Sequence, residues 1–185
     1  VALDSQVDLS HSLSEIIASA LEEALRHNDF ILEKDCVFPE DIYQAEIGVA
    51  ENIKRLNSSK REVISESIVD AIITKNTTLS GITGALITLS EDQKTALRHA
   101  ASSPILVITG GPGCGKTTLV RSIVSLYRRA GIDFKLAAPT GRAAQRLSEV
   151  CESEASTIHR LLKFDPATRA FAFNEDNHLT ADAII

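Results

Sequence analysis

Along the first third of the chain, Leu13, Ile16, Ile17, Ala20, Leu21, Ala24 and Leu25 recur at three- and four-residue spacing, the period of a helix with one apolar face. Ser12 and Glu15 stand at its start as a capping-box pair, so the helix is expected over residues 12–27. Two short apolar runs around a charged turn follow in residues 30–38 and suit a small hairpin. Pro39 loses no needed hydrogen bond at a first helical position, and a second helix is expected from there to about Leu56. Residues 57–61 form a polar break, and a third helix with an Ile/Val face is expected over 62–75. Together these elements predict a small, mostly α, winged-helix-like module.

Residues 76–88 turn to Thr, Ser, Gly and scattered apolar positions, which places a domain boundary there and divides the chain into 1–80 and 81–185. Beyond it the pattern alternates. Ser90 and Gln93 make a second capping box opening a helix to about Ala101, and residues 104–109 (PILVIT) read as a short, fully apolar strand. A helix is expected over 115–130, a buried strand over 134–138 and a helix over 141–150. Such βαβα alternation predicts an α/β fold around a parallel sheet. A short helix at 157–162, a hairpin arm at 171–173 and the start of one more strand at 181–185 complete the reading.

Composition changes this picture in three ways. The 185 residues carry a net charge of −6, but unevenly: residues 1–89 hold 7 Lys and Arg against 15 Asp and Glu, while residues 90–185 hold 12 against 10. Within 121–169 the balance is nine basic to five acidic, which allows a positive face on the second half. No apolar run approaches the length that spans a bilayer and no leader pattern opens the chain, so a cytoplasmic protein without membrane contact is expected. Cys36, Cys114 and Cys151 fit no metal-ligand spacing and are expected as free thiols. The absence of methionine, an initiating one included, leads us to expect a piece of a longer chain.

The chemistry concentrates at residues 110–117, GGPGCGKT, which match GxxxxGK[ST] in full between the apolar strand and a helix. Gly110, Gly111, Pro112, Gly113, Cys114 and Gly115 would turn backbone N–H groups around phosphates, with the helix N-terminus behind them. Lys116 is expected at the β- and γ-phosphates, the Thr117 hydroxyl on Mg²⁺, and Thr118 beside them, with ATP as the nucleotide. Cys114 is either a small filler or, at a helix start, a reactive thiol. Gln93 is either a helix cap or an adenine reader, its amide matching the donor and acceptor of N6 and N7. Thr140, Gly141 and Arg142, with Arg146 behind, follow a strand end at the carboxyl edge of a parallel sheet, where ligands bind; a solvated helix face is the alternative. His159 opens the short helix at 157–162.

With these pieces in place, residues 89–93 (LSEDQ), 109–118, 136–147 (LAAPTGRAAQRL) and 156–162 (STIHRLL) resemble successive motifs of the RecD-like branch of superfamily 1 DNA helicases, a family that includes the exodeoxyribonuclease V alpha chain. Residues 32–56 are similar to the small domain before the motor in the longer RecD-like proteins. The resemblance implies a partial RecA-like P-loop sheet and a 5′-to-3′ translocase on single-stranded DNA, acting in DNA repair and recombination, alone or with RecB and RecC. It implies Gln93 as the adenine reader, Lys116 and Thr117 as the catalytic phosphate and magnesium residues, and Thr140, Gly141, Arg142 and His159 on DNA. It also implies that the Walker B acid pair would follow Ile185, so the 185 residues are expected to hold nucleotide and to hydrolyse it negligibly. Asp182 is not expected to replace that pair. Two other readings stay open on the residues: a P-loop ATPase or kinase of another branch, and an acidic N-terminal module that docks a protein.

Overall fold

A computed structural model describes residues 9–26, 30–75, 78–79 and 86–185. The chain falls into two compact units, Val1–Ser58 and Ser59–Ile185. The division therefore lies some twenty residues before the expected boundary at 80/81.

In the first unit, α1 (Leu9–Arg26) and α2 (Glu40–Asn57) flank an antiparallel hairpin of β1 (Phe30–Glu33) and β2 (Cys36–Pro39). The hairpin turns at Lys34 and Asp35, with Lys34 in the left-handed region at φ 55°. Pro39 serves as the N-cap of α2 rather than its first helical residue; with φ −56° and ψ 136° it pairs with Phe30 and ends the strand as the helix begins. Phe38 and Tyr43 pack ring to ring across that junction, 5.8 Å between centroids. Helix α1 begins before Ser12, so the Ser12/Glu15 pair lies within the helix and is not its cap. A cap of this kind contributes about 1 kcal/mol, too little to stop a helix whose preceding residues can continue it.

None of residues 13–24, 26 and 30–58 is buried, and Leu13, Ile16 and Ile17 remain about 60% exposed. The order helix, hairpin, helix is as expected. The third helix went elsewhere.

That helix, α3 (Glu66–Lys75), packs in the second unit against α4 (Glu91–Ser102) and α5 (Lys116–Ala130). It starts four residues later than expected. The Ile64 amide is spent on Ala101 O at 3.1 Å, and Ser65 O accepts the amides of Ile68 and Val69 that open the helix. Val69 and Ile72 of α3 meet Leu97, Ala100 and Ala101 of α4 and Leu119, Ile123, Leu126 and Tyr127 of α5 in the main core. The Tyr127 hydroxyl donates to Ala100 O at 3.1 Å, and the Arg61 guanidinium lies over the Tyr127 ring while donating to Ser103 O.

Helix α5 buries two faces. Away from α3 and α4, Val124 and Val120 pack with Leu136, Leu147, Val150 and Cys151 under the sheet. The helix enters from Gly115 and leaves through Gly131, both at positive φ (78° and 73°), where a side chain would be strained.

The sheet is parallel, in the order β6 (Ala155–Thr157), β5 (Phe134–Ala138), β9 (Ala183–Ile184). Strand β5 has the expected bounds, and α6 (Gly141–Cys151) returns the chain from β5 to β6. At the other edge, Asp133 and Asp182 latch the strand starts together: the Asp133 amide donates to Asp182 Oδ2 at 2.9 Å, and the Asp182 amide to Asp133 O at 2.8 Å. Asp182 is thus a strand-pairing residue. The short helix α7 (Ile158–Leu161) precedes a hairpin of β7 (Phe164–Asp165) and β8 (Ala170–Phe171), and β3 (Thr78–Leu79) pairs antiparallel with β4 (Leu86–Ile87).

One expected strand differs. Residues 105–109 keep the period-two alternation, with Leu106 and Ile108 against the main core and Val107 76% exposed, but join no ladder among the described residues. A strand is defined by its hydrogen-bonded partner, and alternation alone supplies only the packing half of it. Among the described residues, no helix is long and apolar enough to cross a membrane.

The latch gives a stability prediction. Asp182→Ala should lower the unfolding free energy by about 1 to 2 kcal/mol, and Asp182→Asn, which keeps an acceptor oxygen, by less. Denaturant titrations followed by circular dichroism measure both; equal losses would assign the effect to something other than the acceptor.

Candidate nucleotide-binding site

The site is built where the apolar segment 105–109 runs into α5. Between them, Gly113 and Gly115 both adopt φ 78°, so the loop reverses at glycines and delivers the chain into the helix at Lys116. At Gly110 the fit is close: a Cβ there would come within 2.6 Å of Cys114 Sγ, which would have to move. The first-turn N–H groups of α5 have no side-chain cap from Gly115, so they remain available to an anion at the positive end of the helix.

Lys116 folds its side chain back into the loop. Its Nζ donates to Gly110 O and Gly111 O at 2.6 Å each and lies 3.5 Å from Cys114 Sγ. The ammonium therefore occupies the loop interior and satisfies carbonyls there, a placement it can exchange for phosphate oxygens, which bind an ammonium more strongly than neutral carbonyls do. Thr117 and Thr118 are exposed at the first turn. The loop fits a nucleoside triphosphate by its own geometry: glycines at positive φ that turn the chain, a helix N-terminus without a side-chain cap, and a lysine already inside. Mg²⁺ has one candidate protein ligand in the loop, the Thr117 hydroxyl.

Gln93 meets the loop from α4. Ser90 and Gln93 form the expected reciprocal cap: the Gln93 amide N–H donates to Ser90 Oγ at 3.2 Å and the Ser90 N–H to Gln93 Oε1 at 3.0 Å. Its Nε2 then donates to Cys114 O at 3.3 Å and to Gly115 O at 3.5 Å. A Cβ on Gly115 would fall on that same Nε2. Sequence spacing placed Gln93 at a helix start but gave no sign of this contact; Gly115, the last glycine of the loop, was its only trace.

Thr140 and the residues after it stand at the carboxyl end of β5. The Thr140 hydroxyl accepts from the Ala143 amide at 3.3 Å and caps α6, Gly141 has open space around it, and Arg142 and Arg146 are exposed. Because Ala138 pairs with Thr157 in the parallel ladder, α6 and α7 begin at the same sheet edge. His159 lies in α7, edge-on to Phe164 at 5.3 Å and tilted against Phe171 at 5.8 Å, so its ring seats the β7–β8 hairpin. Among the described residues, no hydrogen bond or ion pair joins these positions to the phosphate loop.

The three cysteines are free, with Cys36 and Cys114 exposed. Cys151 is buried, and burial pushes its thiol above the usual range. Arg128 donates to Cys151 O at 3.0 Å and to Glu152 O at 2.6 Å, closing the end of α6 where Glu152 turns left-handed at φ 48°. This arginine cap was not legible in the sequence, since its partners lie more than twenty residues away.

Residues 93–185 match the AAA domain family. Over 78 residues the chain is 46% identical to the ATP-dependent RecD2 DNA helicase of Deinococcus radiodurans, covering 42% of this chain and 11% of that protein. It is 37% identical over 119 residues to the RecBCD enzyme subunit RecD of Mycolicibacterium smegmatis (51% and 22%), and 45% identical over 64 residues to the ATP-dependent DNA helicase dda of Enterobacteria phage T4 (34% and 15%). The chain thus spans between a tenth and a quarter of the length of these relatives. The matched family begins at Gln93, the residue that touches the phosphate loop, and takes in that loop, Thr140 to Arg142 and His159. The chain belongs to the AAA domain family, and its second half is similar to RecD-type DNA helicases.

Proposed function

We propose that these residues form the ATP-binding part of an ATP-dependent DNA helicase of the RecD type, translocating 5′ to 3′ along single-stranded DNA. The observation that carries the reading is the phosphate loop itself, with Lys116 inside it and the uncapped start of α5 behind it. Lys116 is the residue for the β- and γ-phosphates, Thr117 the magnesium ligand, and Gln93 the reader of adenine. Gly110 to Gly115 and Thr118 complete the cradle. When bound, the triphosphate with Mg²⁺ supplies the energy of phosphoryl transfer; the residues here bind and orient it.

Thr140, Gly141 and Arg142 are proposed to contact the DNA backbone. Arg142 and Arg146 are exposed beside a helix N-terminus and make no ion pair among the described residues, as a phosphate-contacting pair would require. His159 is proposed to act near the same edge, through the hairpin it seats. The similarity to RecBCD subunits supports RecB and RecC as partners of the whole protein, in DNA repair and recombination. The 185 residues alone are proposed to bind nucleotide and hydrolyse it negligibly: among the described residues, the side chains that hydrogen-bond to the loop, Lys116 and Gln93, offer no base to activate water.

Two outcomes test this. Lys116→Ala should weaken binding of a fluorescent ATP analogue to the 185-residue chain by tenfold or more without lowering its melting temperature; unchanged affinity would remove the site. In the whole protein, Arg142→Ala should weaken single-stranded DNA binding uniformly across sequences. It should also reduce the steepness of log affinity against log salt by about 0.7, the share of one phosphate contact.

A further inference from the structure

We infer that Gln93 is a positioning residue for the phosphate loop, setting the direction of the loop's amides before and apart from any contact with a base. The inference deepens the proposed nucleotide site and rests on it.

The geometry starts from the amide of Gln93, which has two donors and one acceptor oxygen with two lone pairs. The orientation of the amide is fixed by what surrounds it. Toward the loop lie two carbonyl oxygens, Cys114 O and Gly115 O, which need a donor; toward the start of α4 lies the Ser90 N–H, which needs an acceptor. A flipped amide would oppose oxygen to oxygen and N–H to N–H. Gln93 therefore clamps the loop from a support held in the first turn of α4.

The consequence follows from the planarity of the peptide. In a trans peptide the C=O and the following N–H point in opposite directions, and no cis peptide occurs among the described residues. Holding Cys114 O toward Gln93 turns the Gly115 N–H away from it. Holding Gly115 O in the same way, together with the Leu119 amide that donates to it at 3.0 Å, turns the Lys116 N–H outward from the start of α5. Gly115 and Lys116 supply the amides at the end of the phosphate loop. Gln93 thereby presents two donors to an anion without touching it.

The same approach of Nε2 to the loop also shows in the sterics. Gln93 Nε2 occupies the space a Cβ on Gly115 would need, so the glycine serves both the left-handed turn at φ 78° and the approach of Gln93. The same donor count ties the two roles together. Oε1 has one lone pair left for an amino group, while a contact to a ring nitrogen must borrow an N–H from the carbonyls. Reading the base and holding the loop thus draw on one amide.

A ligand with phosphates and no base separates the roles. Binding of ATP, GTP and inorganic tripolyphosphate, each with Mg²⁺, is measured by calorimetry on the 185-residue chain and on Gln93→Leu, Gln93→Asn and Ser90→Ala. Leucine removes the polar atoms; asparagine keeps the amide one methylene too short to span from Ser90 to the loop. Both should weaken tripolyphosphate and GTP in parallel by about fivefold, the loss of two neutral hydrogen bonds, and ATP by more. Ser90→Ala removes the hydroxyl cap but keeps the Ser90 N–H bond to Oε1. It should lower the melting temperature while leaving tripolyphosphate affinity as it was, which separates loop positioning from a weakened α4. If the Gln93 variants lose ATP affinity while tripolyphosphate binds as before, Gln93 reads the base only and the inference is wrong. If the unaltered chain binds none of the three ligands, the nucleotide-site reading fails, and the inference with it.

Discussion

The second unit depends on a helix that must bury two faces and still begin at a glycine. Leu119, Ile123, Leu126 and Tyr127 commit one side of α5 to α3 and α4, while Val124 commits the other to β5 and α6. With both sides packed, the helix has no freedom to rotate or slide, because each fully buried aliphatic side chain is worth roughly 1.5 to 3 kcal/mol. Its first residue, Lys116, is therefore fixed in space by side chains one to three turns away. The left-handed entry at Gly115 follows: a chain arriving from the apolar segment 105–109 reaches that fixed helix start by turning through positive φ.

From that fixed start the site is assembled by groups that each meet the loop from a different direction. Lys116 closes it from inside on Gly110 and Gly111, and Gln93 holds its outer carbonyls from α4. Helix α4 in turn is bound to α5 through Leu97 and Ala100 and through the Tyr127 hydroxyl on Ala100 O. The support of the phosphate loop thus comes from the helical layer, and the sheet contributes the separate edge at which α6 and α7 begin.

How much of this was legible depended on whether the cause was local. Helix α5, strand β5 and the β1–β2 hairpin were readable because their determinants lie within a few residues: flanking glycines, an apolar run broken by Lys135 alone, two apolar segments around a charged turn. The Ser90/Gln93 cap was readable for the same reason. Strand β6 was not, since Ala155–Thr157 is short and polar and becomes a strand by lying along Leu136 to Ala138. The assignment of α3 to the second unit was equally hidden; an Ile/Val face says that a helix must pack, and not against what. Residues 105–109 showed the converse, with a strand's alternation and no ladder among the described residues. At the site, the loop residues could be named from their spacing. The contact of Gln93 with Cys114 and Gly115, twenty-one and twenty-two residues away, could not.

The most direct measurement of the central claim is the backbone amide spectrum of the isotopically labelled 185-residue chain, recorded with and without ATP and Mg²⁺. The account predicts that the amide resonances of Gly111, Gly113, Gly115, Lys116 and Thr117 shift together and saturably, with those of the first unit unmoved. Saturable shifts confined to residues outside the loop, or a spectrum unchanged by nucleotide, would contradict it.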